Sequence, residues 1–276
     1  MSFFTDVLDV FFPPLCPLCG VLLSDEQLRI DGESVSGDDS GVGIFGGILS
    51  FLFGSFWLPL PPCPRCASLL ATPSELVCPR CCAKRQLSDL GRSECGRCHG
   101  LVFRFDRAVV LGEYEKDLRS IVLRMKTDKS GFLARAVTML LLSERRRMLS
   151  GKFDLIIPVP SHRKRRWWRG VNSPDLIAGE LGRKLGVLVQ TDIVKRVGET
   201  ALQYHLSDRA RRRNVEGAFA IKDAKKNLLK GKRILLIDDI LTTGATCNEI
   251  TKILKKAGAK KITVCAIARA VGTFNK

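Results

Sequence analysis

Residues 234–246 read ILLIDDILTTGAT, and the order of side chains in this stretch decides the architecture. Ile234 to Ile237 form a continuous apolar run of the length and branching expected for a buried strand. Asp238 and Asp239 follow at its C-terminal end, and the polar loop Thr242-Thr243-Gly244-Ala245-Thr246 opens a helix. Carboxylates in that place accept hydrogen bonds from ribose hydroxyls. Backbone N–H groups and threonine hydroxyls at a helix N-terminus suit a phosphate, because the aligned peptide dipoles favour an anion there. Gly244 lets the backbone approach closely, having no Cβ in the way. The pattern is that of a ribose 5-phosphate cradle.

Working outward, the flanking segments alternate between strand and helix. Arg107 to Tyr114, Phe153 to Val159 and Ile262 to Ala268 read as strands, with Val187 to Val189 and Ile193-Val194 as short candidates. Lys116 to Met125 reads as an amphipathic helix with Leu118, Ile121, Val122 and Met125 on one face. Phe132 to Arg147, Ser173 to Leu185 and Ala245 to Ala257 are further helices, the last closed by Gly258. This alternation predicts an α/β fold: a mostly parallel sheet with helices on both faces. Ligands in such sheets bind beyond the carboxyl ends of the strands, where the acidic pair lies. Arg145-Arg146-Arg147, ending its helix, reads as a partner of the negative end of the helix dipole.

Two basic stretches flank this core. Pro158-Val159-Pro160 ends a strand and leads into Ser161-His162-Arg163-Lys164-Arg165-Arg166-Trp167-Trp168-Arg169. Ser161 and Arg169 suit a pyrophosphate. Arg163, Lys164, Arg165 and Arg166 beside Trp167 and Trp168 equally suit unpaired bases and their phosphates. A solvated basic turn is the plain alternative. The second stretch, Gln203 to Asn214, places Tyr204 among arginines that include Arg209, Arg211 and Arg212. His162 and His205 are too isolated to be read as catalytic.

The first hundred residues differ in kind. They carry 7 Lys/Arg against 11 Asp/Glu, whereas the remainder carries 38 against 17, within a net charge of +17 for the 276 residues. The basic part suits polyanions. Eight of eleven cysteines fall in four C-x-x-C pairs: Cys16/Cys19, Cys63/Cys66, Cys78/Cys81 and Cys95/Cys98. Each pair supplies two thiolates from one tight turn, so four pairs suit two structural zinc ions in closed shells. Joining the first pair to the second and the third to the fourth is favoured, with an interleaved scheme as the alternative. Cys82 and His99 read as spectators. A redox role is the rival, but thioredoxin-type motifs come singly within a βαβ unit. The start has no basic region, and Asp6 and Asp9 interrupt its apolar residues, so a secretory leader is not expected and the setting reads as cytoplasmic.

Phe12-Pro13-Pro14-Leu15-Cys16-Pro17-Leu18-Cys19 is echoed by Leu60-Pro61-Pro62-Cys63-Pro64-Arg65-Cys66. Between these lies an insertion. Residues 24–40 are acidic and Ser/Gly-rich and read as disordered. Residues 41–62, GVGIFGGILSFLFGSFWLPLPP, carry no charge and are long enough for a membrane span, although their glycines and closing prolines weaken that reading. Membrane contact through 41–60 is therefore a minority expectation. The organisation expected is a zinc-ribbon region over 1–100 and an α/β domain over 101–276.

The 234–246 stretch resembles the signature of type I phosphoribosyltransferases, which bind phosphoribosyl pyrophosphate (PRPP). The order of the remaining motifs resembles the ComF family of competence proteins: cysteine knuckles, Lys126 after a short helix, Pro158-Val159-Pro160, Arg169-Gly170-x-Asn172, Gln203-x-x-Leu206, Arg211-x-x-Asn214-Val215, Gly217-Ala218-Phe219, then the loop. Two departures stand out: Ser173-Pro174 where the family has Gln after the Asn, and the insertion between the first two knuckles. The resemblance implies a type I phosphoribosyltransferase fold with a zinc-ribbon head. It implies Mg²⁺ with PRPP, Asp238 and Asp239 on the ribose, Thr242 to Thr246 on the 5-phosphate, and Lys126 with the Ser161–Arg169 loop near the pyrophosphate. It further implies single-stranded DNA as a partner, a DNA-uptake helicase beside it, and a cytosolic place in natural transformation. Three functional classes follow: a phosphoribosyl-transferring enzyme (nucleotide salvage included), an inactive PRPP-sensing module, and a single-strand-binding module.

Overall fold

A computed structural model of the chain describes residues 15–24, 62–89, 95, 96, 98, 103–160, 172–198 and 213–270. Four parallel strands make the central sheet: β1 (Arg107–Glu113), β2 (Leu155–Pro158), β5 (Arg233–Leu241) and β6 (Lys261–Arg269), in the order β1-β6-β5-β2. Two short strands, β3 (Val194–Arg196) and β4 (Phe219–Ile221), form a separate antiparallel pair. The helices are α1 (Pro64–Leu70), α2 (Lys116–Met125), α3 (Phe132–Glu144), α4 (Arg146–Leu149), α5 (Ser173–Leu185) and α6 (Ala245–Lys256).

The unbroken apolar runs of the strands have a direct cause: both faces of the sheet are covered. Ala108, Val110, Ile157, Ile234, Leu236, Ile262 and Val264 point to one face and pack with Ile250 and Leu254 of α6 and with the β3–β4 pair. Val109, Leu111, Ile156, Leu235, Ile237, Cys265 and Ile267 point to the other and pack with α2, α3 and α5. Ile250 and Leu254 are fully buried, each worth about 1.5–3 kcal/mol relative to exposure. On α2 the buried positions are Leu118, Ile121, Val122 and Met125, the face read from the sequence. Helix α5 carries Pro174 in its first turn, where proline costs nothing, and ends at Gly186 in the left-handed region.

The element boundaries shift in instructive ways. Strand β5 runs four residues past the apolar stretch, so the acids lie within the strand and pair with β6 through Asp238↔Ala266. The helix expected over 132–147 breaks at Arg145. Val187 to Val189 contributes one parallel bridge, Val189 to Ile156, beyond β2.

The described part of the cysteine-rich segment covers the edge of β1. Thr72 N–H donates to Leu111 O at 3.0 Å, Ala108 N–H donates to Arg80 O at 2.7 Å, and Val110 N–H donates to the Cys82 sulfur at 3.4 Å. Arg145 is buried where this segment meets the strand. Its guanidinium donates to Val110 O (2.7 Å), Leu111 O (2.7 Å), Ser74 Oγ (3.1 Å) and Thr72 O. The dipole role expected of Arg145 is thus corrected: it is a buried clamp between an edge strand and its cover. An uncovered edge would offer unpaired backbone groups to other chains. Among the described residues no helix is long and apolar enough to cross a membrane; residues 24–60 lie outside those described, apart from Ser24.

Candidate functional site

Asp238 and Asp239 sit near the C-terminal end of β5 and meet different partners. Asp239 Oδ2 receives the ammonium of Lys126 at 3.0 Å, with both side chains mostly buried. Lys126 is the residue that ends α2, so the helix on one face delivers the cation. Asp238 turns to the other face, where the Cys247 thiol of α6 lies 3.7 Å from Oδ2, and Asp238 Oδ1 accepts the Asp239 N–H at 2.9 Å. Burial, with the charge of Asp239 adding to it, pushes the Asp238 carboxyl up to about 8.

The loop that follows is built for close backbone approach. Gly244 has φ +75° and caps α6. A Cβ at that position would stand 3.1 Å from Phe103 Cε1 and 3.5 Å from Phe105 Cε1, whose rings pack at 4.8 Å between centroids. Thr243 Oγ1 accepts the Ala245 N–H at 3.3 Å, opening the helix. From below, the buried guanidinium of Arg269 donates to Leu241 O at 2.8 Å and to Thr242 O. Arg104 N–H donates to Asn248 Oδ1 at 2.8 Å, tying the first turn of α6 to the segment before β1. Thr242, Thr243, Gly244, Ala245 and Thr246 therefore form one braced turn at a helix N-terminus. Sequence reasoning missed Arg269, Cys247, Asn248 and the two phenylalanines. An arginine straight after the apolar run ITVCAIA was the available signal for the first. Ser161, Arg163, Lys164, Arg165, Arg166, Trp167, Trp168, Arg169 and Arg211 lie outside the described residues.

The cysteines gather into two groups, Cys16/Cys19/Cys63/Cys66 and Cys78/Cys81/Cys95/Cys98, with the sulfurs of each group within 4.8 Å of one another. This is the pairing favoured from the sequence. Sulfur pairs stand at 3.8 Å (Cys16–Cys66) and 3.6 Å (Cys19–Cys63) in the first group, and at 3.8 Å (Cys78–Cys98) and 3.6 Å (Cys81–Cys95) in the second. A tetrahedral zinc with Zn–S bonds near 2.3 Å requires sulfur separations of about 3.8 Å, so both groups fit the ion. Two turns follow one plan: Cys16 N–H donates to Val21 O at 2.7 Å and Cys78 N–H to Ala83 O at 2.8 Å. A hydrogen bond from Cys81, working against burial, draws the Cys78 thiol down to about 4. The same contact, with burial, pushes the Cys81 thiol up, and burial pushes Cys98 up, so without an ion the sulfurs share their remaining protons unevenly. Cys82 lies outside the second group, against the Val110 backbone.

A parallel sheet covered on both faces, a phosphate-type turn beyond its acidic strand and two cysteine tetrads beside it define a phosphoribosyltransferase-fold protein with zinc ribbons. Residues 174–275 match the phosphoribosyl transferase domain family. The chain is 37% identical over 180 residues to competence protein F of Haemophilus influenzae, covering 64% of this chain and 78% of that protein. It is 32% identical over 211 residues to the DNA utilization protein YhgH of Escherichia coli O157:H7, covering 75% and 89%. Competence protein ComFC of Streptococcus pneumoniae is 30% identical over 218 residues, covering 75% and 87%. The chain belongs to the competence protein F (ComF) family.

Proposed function

We propose that this protein binds PRPP with Mg²⁺ at the Asp238–Asp239 site and works in the handling of incoming single-stranded DNA during natural transformation. The observation that carries the first half is the meeting of Lys126 with Asp239 at 3.0 Å beside the braced turn 242–246. Two segments distant in sequence, the end of α2 and the stretch from β5 into the turn, thereby bring a cation to two carboxylates and a phosphate-type turn. In this reading Asp238 and Asp239 hold the ribose hydroxyls. Thr242 to Thr246 take the 5-phosphate through backbone N–H groups and hydroxyls. Lys126 stands on the pyrophosphate side, with Ser161 and Arg169 assigned there from the sequence. Bound magnesium would supply charge neutralisation beside Asp238 and Asp239, needing few protein ligands of its own. Departure of pyrophosphate leaves positive charge on the sugar, so the chain's contribution is fixed, oriented charge and not a covalent nucleophile.

The second half is supported by the relatives named for competence and DNA utilization. Arg163, Lys164, Arg165, Arg166, Trp167, Trp168 and Arg211 are the proposed nucleic-acid contacts. Zinc in both tetrads, the division near residue 100, a cytoplasmic setting and a DNA-uptake helicase partner belong to the same proposal. Calorimetry with PRPP and Mg²⁺ tests the site directly: binding is expected, with loss on replacing both aspartates by asparagine. Pyrophosphate release across a panel of acceptors separates an enzyme from a sensor. Absence of PRPP binding in zinc-loaded protein overturns the reading.

A further inference from the structure

The acidic pair occupies one end of the sheet; lysine gathers at the other. Lys230 and Lys232 lead into β5, while Lys256, Lys260 and Lys261 close α6 and open β6. The two segments interlock. Gly231 N–H donates to Gly258 O at 2.8 Å, Lys260 N–H donates to Lys232 O at 2.9 Å, and Arg233 stands opposite Lys261 in register. All five lysines are exposed, and among the described residues none has an acidic partner at ion-pair distance. Exposed Lys152 lies just before β2 at the same end.

Asp223, in the 222–233 segment, is exposed and pairs with Lys226 at 2.7 Å, while two other acids at this end are held by backbone and basic partners. Asp106 Oδ2 accepts the Ile262 N–H at 2.7 Å, and its carboxylate also meets Lys255 at 3.4 Å. Asp154 accepts the Arg233 N–H at 2.7 Å and its guanidinium at 3.1 and 3.2 Å. Attraction to the negative end of α6 accounts for Lys255 and Lys256. It does not account for Lys230, Lys232, Lys260 and Lys261, which crowd two adjoining segments where only Lys232 gains attraction from a nearby carboxylate, that of Asp154.

We propose that this N-terminal edge of the sheet binds the phosphate backbone of single-stranded nucleic acid, at the opposite end of the strands from the sugar-phosphate site. The partner class rests on the DNA-handling half of the proposed function; the location does not. Lysines are flexible point charges, so the contact is with phosphates and indifferent to base sequence. A membrane-surface element would pair its basic residues with a broad apolar face, and Leu228 is the one large apolar side chain exposed in the described segments at 222–233 and 255–261. The placement leaves the strand and PRPP free to bind together.

The test is anisotropy of a labelled oligothymidylate with full-length, zinc-loaded protein at several salt concentrations. The comparison is a variant carrying Lys230→Gln, Lys232→Gln, Lys260→Gln and Lys261→Gln. Affinity is expected to fall at least about tenfold at low salt. The slope of log affinity on log salt should shrink by about 3, since each single-strand phosphate contact contributes about 0.7. PRPP binding and melting temperature should not move. If the quadruple variant fails to fold, Lys232→Gln and Lys260→Gln alone should each lower the slope by about 0.7. Unchanged affinity and slope overturn the proposal. If Trp167→Ala with Trp168→Ala abolishes binding while the lysine variant binds normally, DNA handling stands and the edge fails. If the wild-type protein binds no oligothymidylate, both fail. Loss of binding to phosphatidylglycerol vesicles alone, with the oligonucleotide unaffected, assigns the edge to membranes and refutes it as well.

Discussion

The two cysteine tetrads have the same donors but sit on opposite faces of the sheet, one fully buried and one with a single exposed ligand. Cys78, Cys81, Cys95 and Cys98 are all buried and join the core on the face of α6, beside the phenylalanines under Gly244. Cys16, Cys63 and Cys66 join the core on the face of α2, α3 and α5, while Cys19 is exposed. The second group thus shares a core with Ala245 and Cys247 at the turn, and the first shares one with the helix that leads to Lys126. Each tetrad stands behind one half of the candidate site. The same set of donors is thus fully enclosed in one place and open at one ligand, Cys19, in the other.

The largest effect is expected from Cys81→Ser. It should lower the melting temperature by about 10 °C or more, corresponding to over 4 kcal/mol, and remove PRPP binding. Metal analysis should show the second ion lost. Cys19→Ser tests the other tetrad. A drop of about 3–6 °C is expected, with one zinc equivalent lost and PRPP affinity weakened through Lys126. Equal losses from the two variants would break the comparison. Under a chelator, one equivalent should leave quickly and the other slowly, read as a two-phase release.

Gly244→Ala sharpens the contrast within the face of α6. A Cβ at φ +75° and 3.1 Å from Phe103 should cost about 1–2 kcal/mol by denaturant titration and weaken PRPP binding. A separate prediction concerns pH. Burial raises the Asp238 carboxyl to about 8, whereas an unfolded aspartate titrates near 4. Between these values the folded form holds a proton that the unfolded form has released. Stability is thus lost as pH rises through this window and levels off above it. Asp238→Asn removes that slope, so its stability relative to wild type should improve from pH 5 to pH 9. A constant difference in urea midpoints would remove Asp238 as the group responsible.

Much of this was legible because it rests on spacing. Four C-x-x-C pairs pointed to two tetrads, and the grouping found is the one favoured over an interleaved scheme. Apolar runs alternating with amphipathic stretches gave the parallel sheet, and α2 and α5 fall at the residues expected. The acidic extension of β5 was hidden because carboxylates interrupt the apolar pattern that marks a strand, while the ladder to β6 continues regardless. Arg145 and Arg269 were hidden for a related reason. A buried arginine is written like a surface one, and only the carbonyls converging on it reveal its position. Lys126 came from family resemblance, since no local pattern says that a helix end will reach a distant strand.

The strand order has a consequence for biosynthesis. In the sheet β1 is hydrogen-bonded to β6, with Arg107 opposite Thr263, and β2 is bonded to β5. Neither early strand finds its mate until the final stretch has left the ribosome, and such distant pairing makes for slow closure. A product cut short before Lys261 would strand β1 with no neighbour in the sheet, leaving a species suited to aggregation or proteolysis and not to partial function.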